Sequence, residues 1–224
     1  MGEHHRFWVI CGSLVIVAMA AASWPQKAIS AESVGRGKLL VASRRLGDPN
    51  FAQTVILLLE HSSQGAMGLV VNRPTRERLS ALFPRVEGLQ ERAEALFLGG
   101  PVRRSQVLML VRSNRQLEEA ERVAENLYVS ASRPLLERIL AGSSDTRFRV
   151  FSGYAGWAAG QLEREVFLGD WLTLPYDEDI VFAAHPSSIW PKLIERGPLT
   201  LAFQLLGIDN PPYSCSSPWS PLSL

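Results

Sequence analysis

Branched and apolar residues recur along this chain in short blocks cut by glycine, proline and asparagine, the pattern of strands more than of long helices. GKLLVAS (37–43) and QTVILLLEHS (53–62) read as two strands, because RRLGDPNF between them carries a Gly-Asp-Pro-Asn turn signal. GAMGLVVN (65–72) follows a Ser-Ser-Gln-Gly turn closely enough to form a hairpin with the second strand. The run VILLL is continuously apolar, so its strand is expected to be central and covered on both faces. RPTRERLSALFP predicts a short helix capped by Thr75, with Leu79, Leu82 and Phe83 on one side and Pro84 as its stop. ALFLGGPV (95–102) and VLMLVRS (107–113) read as strands around a Gly-Gly-Pro turn.

QLEEAERVAENL has a helical composition and a Glu118–Arg122 pair at i,i+4 spacing, with an irregular excursion before LYVS as the competing reading. SRPLLERILAG is the clearest helix: Ser132 caps it, Pro134 suits its first turn, Leu135, Leu136, Ile139 and Leu140 form its stripe, and Gly142 suits its end. TRFRVFSG alternates as a strand, EVFLGDWLTLP and DIVFAA supply two more short strands, and SSIWPKLIERG is a last helix with Pro191 in its first turn. Adjacent strands with scattered helices, and no repeat or linker, predict one compact α+β domain from about 34 to 207 and not a regular parallel α/β sheet.

The two ends of the chain differ from this body. An uncharged apolar run from Phe7 to Ala22 stands behind Arg6 and is followed by the small residues Ala28, Ser30 and Ala31. That order is the order of a secretory signal, so residues 1–31 are expected to be a signal peptide or an uncleaved membrane anchor. The domain is then periplasmic or tethered to the inner membrane; a cytoplasmic protein with a misassigned start codon is the competing reading. Residues 208–224, rich in Ser and Pro, are expected to be a flexible tail. Removing residues 1–31 takes Arg6, Lys27 and Glu3 from totals of 23 basic and 22 acidic residues, leaving 21 of each. A neutral domain lacks the excess of Lys and Arg on which nucleic-acid or anionic-lipid binding rests, so membrane contact is expected only through residues 1–31. Cys11 lies in the leader and Cys215 in the tail, so the mature chain is left with one thiol and no intrachain disulfide.

Candidate chemistry is sparse. SGYAGW (152–157) lacks the serine of a Gly-x-Ser-x-Gly elbow, and the body carries two histidines, His61 and His185, without a local triad signature. No short His or Cys pair suggests a metal, and Asp177, Glu178 and Asp179 read as a solvated turn. Gly99 and Gly100 precede Arg103 and Arg104, but Pro101 removes a donor from any phosphate cradle, so a tight turn is expected there. Asn72 can close a turn and Arg73 can reach a neighbouring carboxylate. Gly153 and Gly156 are read as permitting an abrupt bend into a helix that starts near Ala155, with Trp157 locked into the core and seeking one acceptor. Gln161 and Glu163 can line a cleft. No cofactor is expected. A binding or accessory module with an unknown protein or small-molecule partner is the leading reading. Its rival is an enzyme whose cleft unites Glu163, Gln161, Asn72, Arg73 and His61 with a carboxylate as general base.

The blocks EH…GAMGLVVNRP, LFLGGPV, LYVSAS and GYAGWAAGQLE, in this order over about residues 37–175, resemble the YqgE/AlgH family of bacterial proteins. The resemblance implies a compact α+β fold with a bifurcated, barrel-like sheet and no settled reaction; the family's occasional label as a transcriptional regulator comes without a DNA-binding motif. Members of that family are usually cytoplasmic and begin near the counterpart of Val34. A histidine usual at the end of the strand after GGPV is replaced within LMLVRS.

Overall fold

The computed structural model describes residues 34–86, 89–90, 94–141 and 146–195; the expected leader, the tail and Gly142 lie outside them. In chain order the strands are β1 (Leu39–Ala42), β2 (Val55–Ser62), β3 (Gly65–Val70), β4 (Pro74–Arg78), β5 (Ala95–Leu98), β6 (Val102–Arg112), β7 (Glu121–Ala124), β8 (Leu127–Ser130), β9 (Phe148–Ala158) and β10 (Trp171–Leu174). The helices are α1 (Leu79–Leu82), α2 (Arg133–Ala141), α3 (Gln161–Phe167), α4 (Glu178–Val181) and α5, residues 189–195.

The strands form one sheet in the order β10-β1-β2-β3-β9-β6-β8-β7, with β4 and β5 on a branch. As the apolar run VILLL requires, β2 lies inside the sheet between β1 and β3, and Val55–Leu59 are buried. The ends of the order curl toward each other. A Cβ on Gly37, just before β1, would lie 2.9 Å from the Val123 carbonyl oxygen of β7, and Arg36 pairs with Glu121 at 2.6 Å. The result is a half-barrel.

The fork in the sheet lies in β9. Its first half pairs in parallel with β5 (Leu96 opposite Val150, Leu98 opposite Ser152) and, on its other edge, antiparallel with β6 (Val111 opposite Phe148, Val107 opposite Ser152). Its second half pairs with β3, Ala155 opposite Gly68 and Ala158 opposite Gly65. Gly99 and Gly100 carry the chain from one edge of β9 to the other at the point of the fork. A Cβ on Gly99 would lie 2.3 Å from the Gly153 oxygen, and one on Gly100 would lie 2.1 Å from the Tyr154 carbonyl carbon. Gly153 has φ +69, where a side chain is strained regardless of space. The GGPV and GYAG blocks are therefore the two halves of one backbone crossing.

Alternation along β9 sends side chains to two cores. Phe151, Ala155 and Trp157 join β1, β2, β3 and α5 inside the curl, while Phe148 and Val150 face Leu96, Met109 and Val111 under the α2 stripe Leu135, Leu136, Ile139 and Leu140. Ser132 caps α2 by accepting from Leu135 N at 3.1 Å, as its position predicts.

Several expectations are corrected. Residues 74–78 are a strand, because Pro74 and Arg78 pair with Phe97 and Ala95. Only Leu79–Leu82 are helical, no side chain caps them, Thr75 instead accepts from Glu77 N, and Leu82 is exposed. QLEEAERVAENL supplies β7 and a tight turn with Asn126 at φ +57. Pairing with β8 outweighs its helical composition, and Arg122 packs on Tyr128 and not against Glu118. The strands flanking Gly-Gly-Pro pair with β9 and not with each other. DIVFAA is no strand: its first three residues belong to α4, capped by Asp177, which accepts from Asp179 N and Ile180 N, and the acidic run is a helix start. In EVFLGDWLTLP only Trp171–Leu174 is a strand, since residues through Phe167 complete α3.

The largest correction concerns SGYAGW. The helix does not begin near Ala155: β9 continues through Ala158, and α3 begins after Gly160 at φ +70. Gly156 makes no bend, having no positive φ and no atom nearer than 3.5 Å to an added Cβ.

Candidate functional site

Asn72 and Arg73 follow β3 and hold the loop that leads into β2. Asn72 is buried; its Oδ1 accepts from Val55 N at 2.8 Å and its Nδ2 donates to the Gln53 oxygen at 2.9 Å. It thus ties together segments 17 to 19 residues away and closes no local turn. Arg73 donates to the carbonyl oxygens of Asn50 at 2.7 Å, Ala52 at 2.9 Å and Pro49 at 3.4 Å, so it reaches three carbonyls and not a carboxylate. Burial lowers its pKa, opposed by the charge of Asp48. Between this clamp and the segment around Ser187 lies a cleft of about 430 Å³, lined by Gln53, Asn72, Arg73, Thr75, Leu98 and Ser187 among others. Gln53 stands at its rim with φ +59, a conformation a glutamine keeps only when its surroundings impose it.

A second cluster surrounds α3. The rings of Phe51, Trp157 and Trp171 meet with centroids 6.0–6.1 Å apart. Both indoles donate to one oxygen, Glu165 Oε2, at 2.9 and 2.8 Å, and Gln161 Nε2 donates to Glu165 Oε1 at 2.9 Å. Gln161 Oε1 in turn accepts from Ala158 N at 3.1 Å, closing the step from β9 into α3. Trp157 is locked into the core with one acceptor, as expected, although on a strand and not a helix. Glu163 turns away from this cluster and meets His61 Nε2 at 2.7 Å. Its own backbone N–H and that bond to His61 hold its carboxyl below the usual carboxylate range.

These placements separate the residues of the composite enzyme cleft. Asn72 bonds to Val55 at the start of β2, whereas His61 lies six residues further along the same strand, roughly 20 Å at the rise of an extended chain. Glu163 goes with His61, Gln161 with Glu165, and Asn72 and Arg73 with the loop, so the five do not converge. Gly99, Gly100 and Gly153 belong to the crossing, and Gly156 lies on the open β3–β9 face, in a cleft of about 420 Å³ with Glu60, Met67 and Tyr154. His185 contributes its carbonyl, which accepts from Ser188. Arg103 and Arg104 are exposed. Sequence reasoning missed Glu165 as the shared acceptor, and Phe51 and Gln53 as loop residues. The need of two tryptophans for acceptors, with Glu163, Glu165 and Asp170 between them in the sequence, was the available signal.

The forked, curled sheet, its glycine crossing and its short helices define a single-domain α+β fold of one particular kind. The chain belongs to the AlgH-like family (DUF179), whose model matches residues 39–202. Among its relatives, a UPF0301 protein of Paracoccus denitrificans is 38% identical over 181 residues, covering 77% of this chain and 90% of the relative. A UPF0301 protein of Idiomarina loihiensis is 33% identical over 163 residues, covering 70% and 88%. The solution structure of the AlgH protein from Pseudomonas aeruginosa matches with a TM-score of 0.59 at 34% identity, covering 78% of this chain and 94% of that one. A crystal structure from Corynebacterium diphtheriae matches with a TM-score of 0.63 at 26% identity, covering 76% and 91%.

Proposed function

We propose that this domain is a non-enzymatic binding or accessory module of the cell envelope, exported or tethered through residues 1–31, which holds a small polar ligand or a short segment of a partner protein in the cleft beside Asn72 and Arg73. One observation carries the reading: Gln53 is kept in a strained conformation at the cleft rim by two side chains whose hydrogen bonds are spent on its loop. Such strain is retained where the surroundings over-determine it, characteristically at ligand clamps. The volume of about 430 Å³ falls in the range of small-ligand clefts, and its lining offers amide, guanidinium and hydroxyl groups. Dispersal of the remaining polar candidates supports binding over turnover.

The test is native mass spectrometry of the protein recovered from cell envelopes, beside a Thr75→Trp variant that fills the cleft without touching the Asn72 and Arg73 hydrogen bonds. The wild type is expected to carry a ligand or partner that the variant loses. Repeated recovery of bare, folded wild-type protein refutes the reading. Cell fractionation with N-terminal sequencing tests the location: a mature terminus near residue 32 in the envelope fraction supports export, and a cytoplasmic chain overturns it.

A further inference from the structure

Arg149 is a charged residue within β9, on the strand face that carries Phe151, Ala155 and Trp157, and no role described so far uses it. Its guanidinium lies over the ring of Phe97, 4.6 Å from the centroid, with Phe182 at 5.9 Å. Nη1 donates to the carbonyl oxygens of Val181 and Val71, and Nη2 to that of Ala183. A guanidinium has five N–H donors. Among the described residues, the Nε–H and one Nη2–H have no hydrogen-bond partner. Carbonyl dipoles orient the cation but supply no countercharge, and burial lowers its pKa to about 10, so it stays charged at neutral pH in a place that penalises charge.

Beside it opens a cavity of about 410 Å³, walled chiefly by Phe97, Phe148, Phe182, Leu79 and Pro186. Among the described residues the lining is chiefly apolar, with Glu94 and one cation, Arg149; its Nε–H and one remaining Nη2–H suit the two oxygens of a carboxylate held side-on. A second carboxylate on the occupant would find no further cation among the described lining residues and would lose its hydration against the phenylalanine rings.

We infer that the Arg149 pocket binds a small organic monoacid, its carboxylate on the guanidinium and its apolar body among the phenylalanine rings. This site does not depend on the Asn72–Arg73 cleft. Among the described residues the two linings have Pro74 in common.

The experiment is calorimetric titration of the full chain with isovalerate, phenylacetate and 3-phenylpropionate, alongside 3-phenylpropanol and benzylmalonate. At least one monoacid is expected to bind. 3-Phenylpropanol, which lacks the carboxylate, and benzylmalonate, which carries two, are each expected to bind at least tenfold more weakly than 3-phenylpropionate. Arg149→Met should lose the acid by at least tenfold. Because that variant also removes bonds that hold the α4 segment, Ala184→Trp provides the second arm: it blocks the cavity, leaves the guanidinium bonds intact, and should abolish acid binding with little change in melting temperature. Thr75→Trp should leave acid binding unchanged. The inference is overturned if no monoacid binds, if acid and alcohol bind alike, if Ala184→Trp binds as the wild type does, or if Thr75→Trp removes binding and so places the acid in the neighbouring cleft.

Discussion

Replacing Gly153 by alanine tests the backbone crossing directly, with Gly156→Ala as its control three residues away. At position 153 the new Cβ meets the Gly100 oxygen at 2.6 Å and the Val102 oxygen at 2.8 Å, and the backbone sits at φ +69. The left-handed conformation costs a non-glycine residue roughly 1–2 kcal/mol, and forcing extra volume into a packed interior costs roughly 1–3 kcal/mol. The expected loss is about 2–5 kcal/mol, a large share of a typical stability of about 5–15 kcal/mol. For a domain of this size it lowers the melting temperature by roughly 4–20 °C. Gly156 has ordinary backbone and the nearest contact to an added Cβ, Tyr154 Cε2, is 3.5 Å away, so its alanine variant should be neutral or gain up to about 1 kcal/mol. Urea denaturation followed by tryptophan fluorescence measures both. Equal melting of the two variants, or unfolding of Gly153→Ala together with the wild type, would refute a strained crossing at this glycine.

Three further outcomes follow from named contacts. Glu165→Ala strands two indole N–H groups, for a loss of about 2–5 kcal/mol and a shift in tryptophan emission, while Glu165→Gln, which keeps an acceptor oxygen, should lose less; equal losses would count against the shared acceptor. The Glu163 carboxyl titrates below its ordinary value of 4.5, so its stabilising contribution is complete above about pH 4.5 and vanishes as pH falls through the lowered value. The stability gap between wild type and Glu163→Gln, no more than about 1 kcal/mol for so exposed a pair, should be present at pH 6 and shrink as the pH is taken below 4.5. Arg73→Lys keeps the charge but cannot span three carbonyls, so amide exchange in residues 50–54 should accelerate about tenfold, equivalent to about 1.4 kcal/mol; unchanged protection would remove the clamp.

Much of the sheet could be read from the chain because its signals are local. VILLL announces a strand buried on both faces, and Ser132 with Pro134 and a four-residue stripe announces α2. What failed depends on partners distant in sequence. Residues 74–78 and 121–124 are polar and helix-compatible, and become strands only because β5 and β8 offer them edges. In SGYAGWA the period of two is present, with Ala155 and Trp157 inward and Gly156 and Ala158 outward, but the density of glycine reads as a bend. The purpose of Gly153 became visible only with Gly100 laid across it. The candidate site was legible in its members more than in its grouping. Asn72 and Arg73 act together, while Gln161 and Glu163, two residues apart, face different partners. Arg149 carried a sequence signal that went unused: a lone charge on the inward face of an otherwise apolar strand.

The position of β9 has a consequence for the order of biosynthesis. β3, β5 and β6 all hydrogen-bond to a strand that ends at residue 158, and β1 waits for β10 at 171–174. At roughly 5–20 residues per second, the ribosome needs on the order of 5–20 s to deliver β9 after β2 has emerged. Throughout that interval the nascent polypeptide cannot complete its interior, and the apolar run Val55–Leu59 stays open to a chaperone.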